Sequence, residues 1–411
     1  MIANKKNKKK RVPELRFGEF DEEWEILPID KITDTVTSGS RDWAKFYSLD
    51  GDKFIRMTNL SRNGIQLLLD NLKYVKIPKT NSEGKRTSLQ YGDLLISITA
   101  ELGKIGWVPN DLGVAYINQH TALVRIKTNF ESKFIAYQLS SYKSNITLNR
   151  LNDSGAKSGL NLSTIRSYKV TFPSLPEQKK IATFLSTIDQ KIQQLTRKKK
   201  LLESYKKGLM QQLFSGKLRF RDEEGKEYPD WQYVHGNELF DLISDKNHNS
   251  DLPILAITQD QGAIPRDMIN YKMTVTKKSI ASYKVVQIGD FIISLRTFQG
   301  GIEYSEYHGI CSPAYNILRP NSKDVNKDFY KLYLKTSFYI QQLQRNLEGI
   351  RDGKMISYKY FSEIKLPFPS PSEQERIANF LLSIDKKIAE VITQITKTQT
   401  FKRGLLQKMF V

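Results

Sequence analysis

The stretch PEQKKIATFL at residues 176–185 returns as SEQERIANFL at residues 372–381. A shift of 196 residues aligns residues 172–214 with 368–410 without a gap, and 18 of the 43 positions are then identical. Identity on that scale marks a duplication, and an internal repeat decides how the rest of the chain is read. Each copy opens on prolines and then turns helical. Apolar residues fall at Ile181, Leu185, Ile188, Ile192, Leu195, Leu202, Tyr205, Leu209 and Leu213. In the second copy they fall at Ile377, Leu381, Ile384, Ile388, Val391, Ile395, Phe401, Leu405 and Met409. Steps of three and four are the signature of a helix with one narrow apolar seam. Each pattern predicts roughly 58 Å of helix at about 1.5 Å per residue. The simplest partner for such a seam is the other copy, packed antiparallel; two separate core helices are the alternative. Gly208 and Gly404 sit inside the two patterns, where glycine costs about 1 kcal/mol relative to alanine. A close backbone approach or a frayed helix end would account for them.

Fainter echoes flank the repeat. LRF occurs at residues 15–17 and 218–220, each time followed by acidic residues and a tryptophan, Trp24 or Trp231. YGDLLIS at 91–97 resembles IGDFIIS at 288–294, and a glycine follows at the same distance in each, Gly103 and Gly300. Short β-branched and aromatic runs broken by Gly, Asn and Asp turns predict strands. The expected fold is α+β: two mixed α/β modules separated by two long antiparallel coiled-coil helices, with pseudo-twofold symmetry. The boundaries read as a basic tail at 1–11, a first module at 12–172, a first helix at 173–214, a second module at 215–367 and a second helix at 368–411. If the helices run antiparallel, the C-terminal LLQKMFV returns to the PELRF segment near the start.

Net charge is +20 over 411 residues, which points to a polyanionic partner such as nucleic acid. The two modules are nearly neutral, with 21 basic against 18 acidic residues in the first and 21 against 19 in the second. DNA binding by them would therefore rest on local basic loops. One cysteine, Cys311, and four histidines exclude an internal disulfide and make a zinc site implausible. The start is basic with no apolar run behind it, and no stretch reaches the roughly 18 apolar residues of a membrane span. A cytoplasmic protein is expected.

The duplicated FPSLPEQKKIATFLSTIDQKI and FPSPSEQERIANFLLSIDKKI, their endings KKGLMQQLF and KRGLLQKMF, and the paired GDLLIS and GDFIIS elements resemble the specificity subunits of type I restriction-modification enzymes. The resemblance covers the whole chain after the tail. It implies two target recognition domains, each reading half of a bipartite double-stranded DNA target. It also implies that the helices dock two modification subunits carrying adenine-N6 methyltransferase activity, which motor–nuclease subunits join. S-adenosylmethionine, ATP and magnesium would belong to those partners, and none to this chain. Glu177, Gln178 and Phe184, with Glu373, Gln374 and Phe380, are then candidates for partner docking on exposed helix positions. Carboxylates at a helix N-terminus also suit its dipole, so capping explains the glutamates equally well.

Catalytic motifs are missing. SPAY at 312–315 lacks the second proline of an adenine methyltransferase loop, and FQGGIEY at 298–304 is a poor cofactor loop. No P-loop pattern is present. EIK at 363–365 has no acidic partner at nuclease spacing. The chain is expected to be non-catalytic by itself. Base reading uses Arg, Lys, Asn and Gln as hydrogen-bonding forks, which selects polar loop residues. In the first module these are Arg41, Arg56, Asn59, Arg62, Lys85, Arg86 and Lys157. In the second they are Gln259, Arg266, Arg296, Gln299, Arg351 and Lys354. Lys198–Lys200 and the tail are candidates for phosphate contact. A coiled-coil adaptor whose modules bind protein and a self-contained DNA methyltransferase or nuclease are the rival readings.

Overall fold

The computed structural model describes residues 11–78, 84–151, 159–249, 251–269, 277–294, 297–345 and 356–411. Both repeats are single long helices, Leu175–Phe214 and Pro371–Lys408. The chain forms two compact units. One holds residues 1–197 and 392–411, the other residues 198–391. Each unit therefore contains one module, the start of one long helix and the end of the other.

The modules share one sheet that their sequences barely show, while their remaining strands pair differently. In the first unit a four-stranded antiparallel sheet runs in the order Thr33–Ser38, Thr121–Ile126, Leu94–Ser97, Ile105–Trp107. In the second the order is Phe240–Ile243, Asn316–Pro320, Phe291–Ile293, Glu303–Tyr304. A two-stranded pair closes the base of each module. Glu25 lies opposite Phe172, and Gln232 lies opposite Phe368. The GD elements have a structural cause. Asp93 and Asp290 are buried, and each carboxylate takes two hydrogen bonds from one guanidinium. Arg125 donates at 2.8 and 2.8 Å, Arg319 at 2.7 and 2.8 Å. Each aspartate also accepts the backbone N–H three residues earlier, at 2.7 Å. The preceding glycines have φ of +84° and +97°, a conformation that only glycine adopts without strain. Of the two glycines matched by spacing, Gly103 has positive φ, whereas in the second module the left-handed position belongs to Gly301 and not Gly300.

The ten-residue repeat grips the LRF repeat. Glu177 accepts two hydrogen bonds from Arg16, at 2.8 and 2.7 Å, and Glu373 accepts two from Arg219, at 3.1 and 2.8 Å. Phe17 packs edge-on against Phe184, and Phe220 against Phe380. Gln178 accepts the N–H of Glu131 and donates to the carbonyl of Pro173. Gln374 does the same with Asn326 and Pro369. These contacts correct the expectation of exposed docking positions. Glu177, Gln178, Glu373 and Gln374 are all at most 2% exposed, because buried charged and amide groups need partners and the chain itself supplies them. Phe184 and Phe380 keep half-buried rings.

The helix seams obey the predicted pattern at most positions. Ile181, Leu185 and Ile188 share a core with Leu405 and Met409 in the first unit. Leu213 shares one with Ile377, Leu381 and Ile384 in the second. In each unit the start of one helix thus packs on the end of the other, which is antiparallel. Tyr205 and Phe401 depart from the seam and are more than half exposed. Among the described residues Gly208 and Gly404 mark no close approach, since none lies within 4 Å of the Cβ that either would carry.

Two equivalent ion pairs cross the seams. Lys402 and Asp189 are both nearly sealed from solvent, and the Tyr137 hydroxyl donates to Asp189 at 2.8 Å. Lys206 meets Asp385 at 2.6 Å, with that carboxylate 41% exposed. Truncating one partner of a buried pair leaves an uncompensated charge, whereas an exposed pair contributes little. Lys402→Ala is expected to lower stability by about 3–5 kcal/mol and Lys206→Ala by about 1 kcal/mol or less, read from urea unfolding of each variant. Equal losses would contradict this assignment.

The end of the second long helix meets the segment before the first module. The N–H of Leu15 donates to the carbonyl of Lys408 at 2.9 Å, as that of Leu218 donates to Gln212 at 3.2 Å in the second unit. The same hydrogen bond thus holds both joints, and in the second unit a continuous chain spans the joint as well. A circular permutant that joins Val411 to Val12 by a short linker and opens after Ser215 should fold with an unchanged far-ultraviolet spectrum and unfolding midpoint. A permutant that stays unfolded would show that the Leu15 contact is not an equivalent joint.

Candidate nucleic-acid interface

In the first unit the polar loops gather at one end of the sheet. Gly39 lies against the carbonyls of Ile117 and Asn118, where a Cβ would clash at 2.2 and 2.4 Å. That contact lets Ser40 bridge to Asn118 and its carbonyl accept the N–H of Gln119 at 3.1 Å. The turn at 99–103 joins them, since Thr99 Oγ1 lies 2.8 Å from His120 Nδ1 and 3.9 Å from Met57 Sδ. Arg62 reaches over the same turn to Glu101 at 2.7 Å. Lys104 and Arg62 together hold the Glu101 carboxyl down at about 2.

The candidate readers of the first module separate by environment. Arg41 is exposed, beside Ser40, and has no partner among the described residues. Arg62 is exposed and held by Glu101. Arg86 is exposed and donates to Thr37 Oγ1 at 2.8 Å. Lys85 opens the short turn Lys85–Thr87. Arg56 is half-buried and donates to the carbonyl of Asn71 at 3.2 Å. Asn59 requires a correction. It is 2% exposed, accepts the N–H of Arg56 and donates to the carbonyls of Leu68 and Asn71. Its amide is consumed in shaping the loop and offers no edge to a ligand. Lys157 lies outside the described residues.

In the second unit Gln259 and Gln299 come together, with Gln259 Nε2 donating to Gln299 Oε1 at 3.3 Å. Both are exposed, one after the strand Leu255–Thr258 and the other on the short helix Thr297–Gly300. Arg266 is half-buried, with one guanidinium nitrogen buried and unpartnered. Arg296, Arg351 and Lys354 lie outside the described residues. Among the described residues no His/Cys/Asp/Glu group could hold a metal ion, and no helix is long and apolar enough to cross a membrane.

Sequence reasoning passed over Thr99, Asn118, Gln119 and His120. The 118–120 turn carries no Arg or Lys, and nothing local places it beside Ser40 or Thr99. Only the pairing of the Thr121–Ile126 strand with its neighbours brings these turns together.

Residues 22–204 and 229–403 match the family described as the type I restriction modification DNA specificity domain. The chain is 27% identical over 401 residues to a putative type I restriction enzyme MjaX specificity subunit of Methanocaldococcus jannaschii, spanning 93% of this chain and 91% of that protein. It is 28% identical to the MjaVIII specificity subunit of the same organism over 54% of this chain and 56% of the relative. Its fold is similar to the crystal structure of a type I restriction-modification S subunit from M. genitalium. The TM-score is 0.59 at 15% identity, covering 97% of this chain and 99% of the other. A chain from a study of assembly and conformational transition of the type I R-M system gives a TM-score of 0.53 at 18% identity, covering 94% and 96%.

The two environments predict opposite phenotypes. Asn59→Ala should destabilise the first unit by about 1–3 kcal/mol, because it strands buried donors and acceptors. Arg62→Ala should leave stability within about 0.5 kcal/mol and reduce the salt dependence of duplex DNA binding by about one counterion. Denaturant unfolding and binding titrations across salt concentrations check both. A stability loss at Arg62 or an unchanged salt slope would contradict the division.

Proposed function

The chain belongs to the type I restriction modification DNA specificity family, and from that premise we propose that its two recognition domains each read one half of a bipartite DNA target. The observation that carries this reading is the pairing of two modules with one sheet of the same strand order and the same Arg–Glu clamp, whose candidate loop residues differ. Equal frames with unequal loops suit two readers of different short sequences. The chain supplies recognition to a restriction-modification complex. Two modification subunits engage the duplicated helices, the adenine-N6 methylation and its S-adenosylmethionine belong to them, and ATP and magnesium belong to the motor–nuclease subunits. Placing the docking surface on the helices needs a revision. Glu177, Gln178, Glu373 and Gln374 are buried, so the exposed edges of Phe184 and Phe380 remain as candidate contacts.

Specific readers in such a domain combine phosphate contacts that position with base contacts that specify. The exposed Arg41, Arg62 and Arg86 suit the first task, and the glutamine pair Gln259–Gln299 suits the second. The test is expression with the modification subunit in a host free of methylation, followed by single-molecule mapping of N6-methyladenine. A new bipartite motif that disappears when this chain is omitted is expected. Soluble, mutually bound subunits that write no motif would favour the protein-adaptor reading.

A further inference from the structure

The turn at residues 118–120 contains a glutamine whose amide is held by a hydrogen-bonded relay. Gln119 Nε2 lies 3.1 Å from His120 Nε2. An amide nitrogen only donates, so His120 Nε2 is the acceptor and its ring proton sits on Nδ1. That proton faces Thr99 Oγ1 at 2.8 Å, and the threonine hydroxyl hydrogen is left to donate to Met57 Sδ at 3.9 Å. Each donor in the relay meets an acceptor without conflict.

The backbone of the turn is equally constrained. The Gln119 N–H donates to Ser40 at 3.1 Å, the carbonyl of His120 accepts the N–H of Ile98 at 3.1 Å, and the His120 N–H donates to Asn118 Oδ1 at 3.2 Å. The side chain of Gln119 is half-buried. Its Oε1 and second N–H have no partner among the described residues, which leaves the amide one acceptor and one donor to offer.

We propose that Gln119 reads an adenine in the major groove for the first recognition domain, with His120 as its positioning residue. The inference rests on the DNA-reading role given above. Adenine presents N7 as acceptor and N6–H2 as donor there, the complement of a glutamine edge. Guanine presents two acceptors and would leave Gln119 Oε1 facing a lone pair. Holding one N–H on His120 removes the rotation that would let the amide present itself the other way round. The exposed Arg41 and the Arg62–Glu101 pair border the same turn and supply cations for the flanking phosphates.

The experiment is methylation-motif mapping of the full chain with its modification subunit, for the wild type, Gln119→Ala, Gln119→Glu and His120→Phe. Gln119→Ala should keep the bipartite motif but turn one A·T position of one half-site degenerate, a loss of discrimination on the order of 10- to 100-fold, with the other half-site unchanged. Gln119→Glu should shift that position towards cytosine, whose N4 amine suits a carboxylate acceptor. His120→Phe should relax the same position less. An unchanged motif in Gln119→Ala overturns the assignment. So does a uniform loss of methylation at every site in Gln119→Ala together with an unshifted motif in Gln119→Glu. A wild-type chain that writes no bipartite motif overturns the specificity reading itself, and this proposal with it.

Discussion

Two buried carboxylates, Glu177 and Glu373, fix the architecture of each unit. A carboxylate removed from water is tolerated only when a cation and hydrogen-bond donors replace its hydration. Arg16 and Arg219 provide both through paired hydrogen bonds, a geometry that a lysine could not reproduce. Burial pushes against the arginines' charge, but the bond to the carboxylate outweighs it and raises both pKa values. The adjacent glutamines then tie the helix start to the helix of the module behind it. Segment, long helix and module meet at one residue pair, Glu–Gln, and that is why the pair recurs.

The equivalence is not complete, and the departures have local causes. Trp231 donates its indole N–H to Glu373 at 2.9 Å. Its counterpart Trp24 packs against Phe134 and Phe410 instead, and its indole nitrogen is buried without a partner among the described residues. Tyr137 seals the Asp189–Lys402 pair with a hydroxyl. In the second unit the Asp385 pair opens on a cavity of about 1020 Å³ lined in part by Lys207, Tyr233, Tyr333 and Lys365. The two units have diverged in how well they exclude water from the same electrostatic element.

The sequence made the frame legible and concealed most of the recognition surface. The repeat at 196 residues, the helical seams and the paired GD elements could be read because their spacing is dictated by periodic packing and by one tight turn. What the repeated residues do was harder to see. Glu177 and Gln178 look like surface positions because charge and amide usually mean exposure, and Arg16, the partner of Glu177, lies 161 residues away in sequence. Asn59 failed as a reader for the same reason, since composition cannot tell a loop-shaping amide from a ligand-facing one. Gln119 escaped notice because its setting is assembled from four separate turns. The exposed Tyr205 and Phe401 show the limit of periodicity, which predicts a seam without saying where the seam is interrupted.

Each module enters and leaves through one narrow neck, the antiparallel pair of Glu25–Pro28 with Lys169–Phe172 or of Gln232–His235 with Lys365–Phe368. The chain departs from the frame and rejoins it at neighbouring backbone atoms, so everything between behaves as an insert. The clamp residues Arg16, Glu177, Arg219 and Glu373 all lie outside those inserts. An exchange of genetic material cut at the neck would therefore replace a whole reading head while the Arg–Glu clamps of the scaffold stayed intact. Novelty in what is read can then arise in a single step, by transplantation, without passing through poorly folded intermediates.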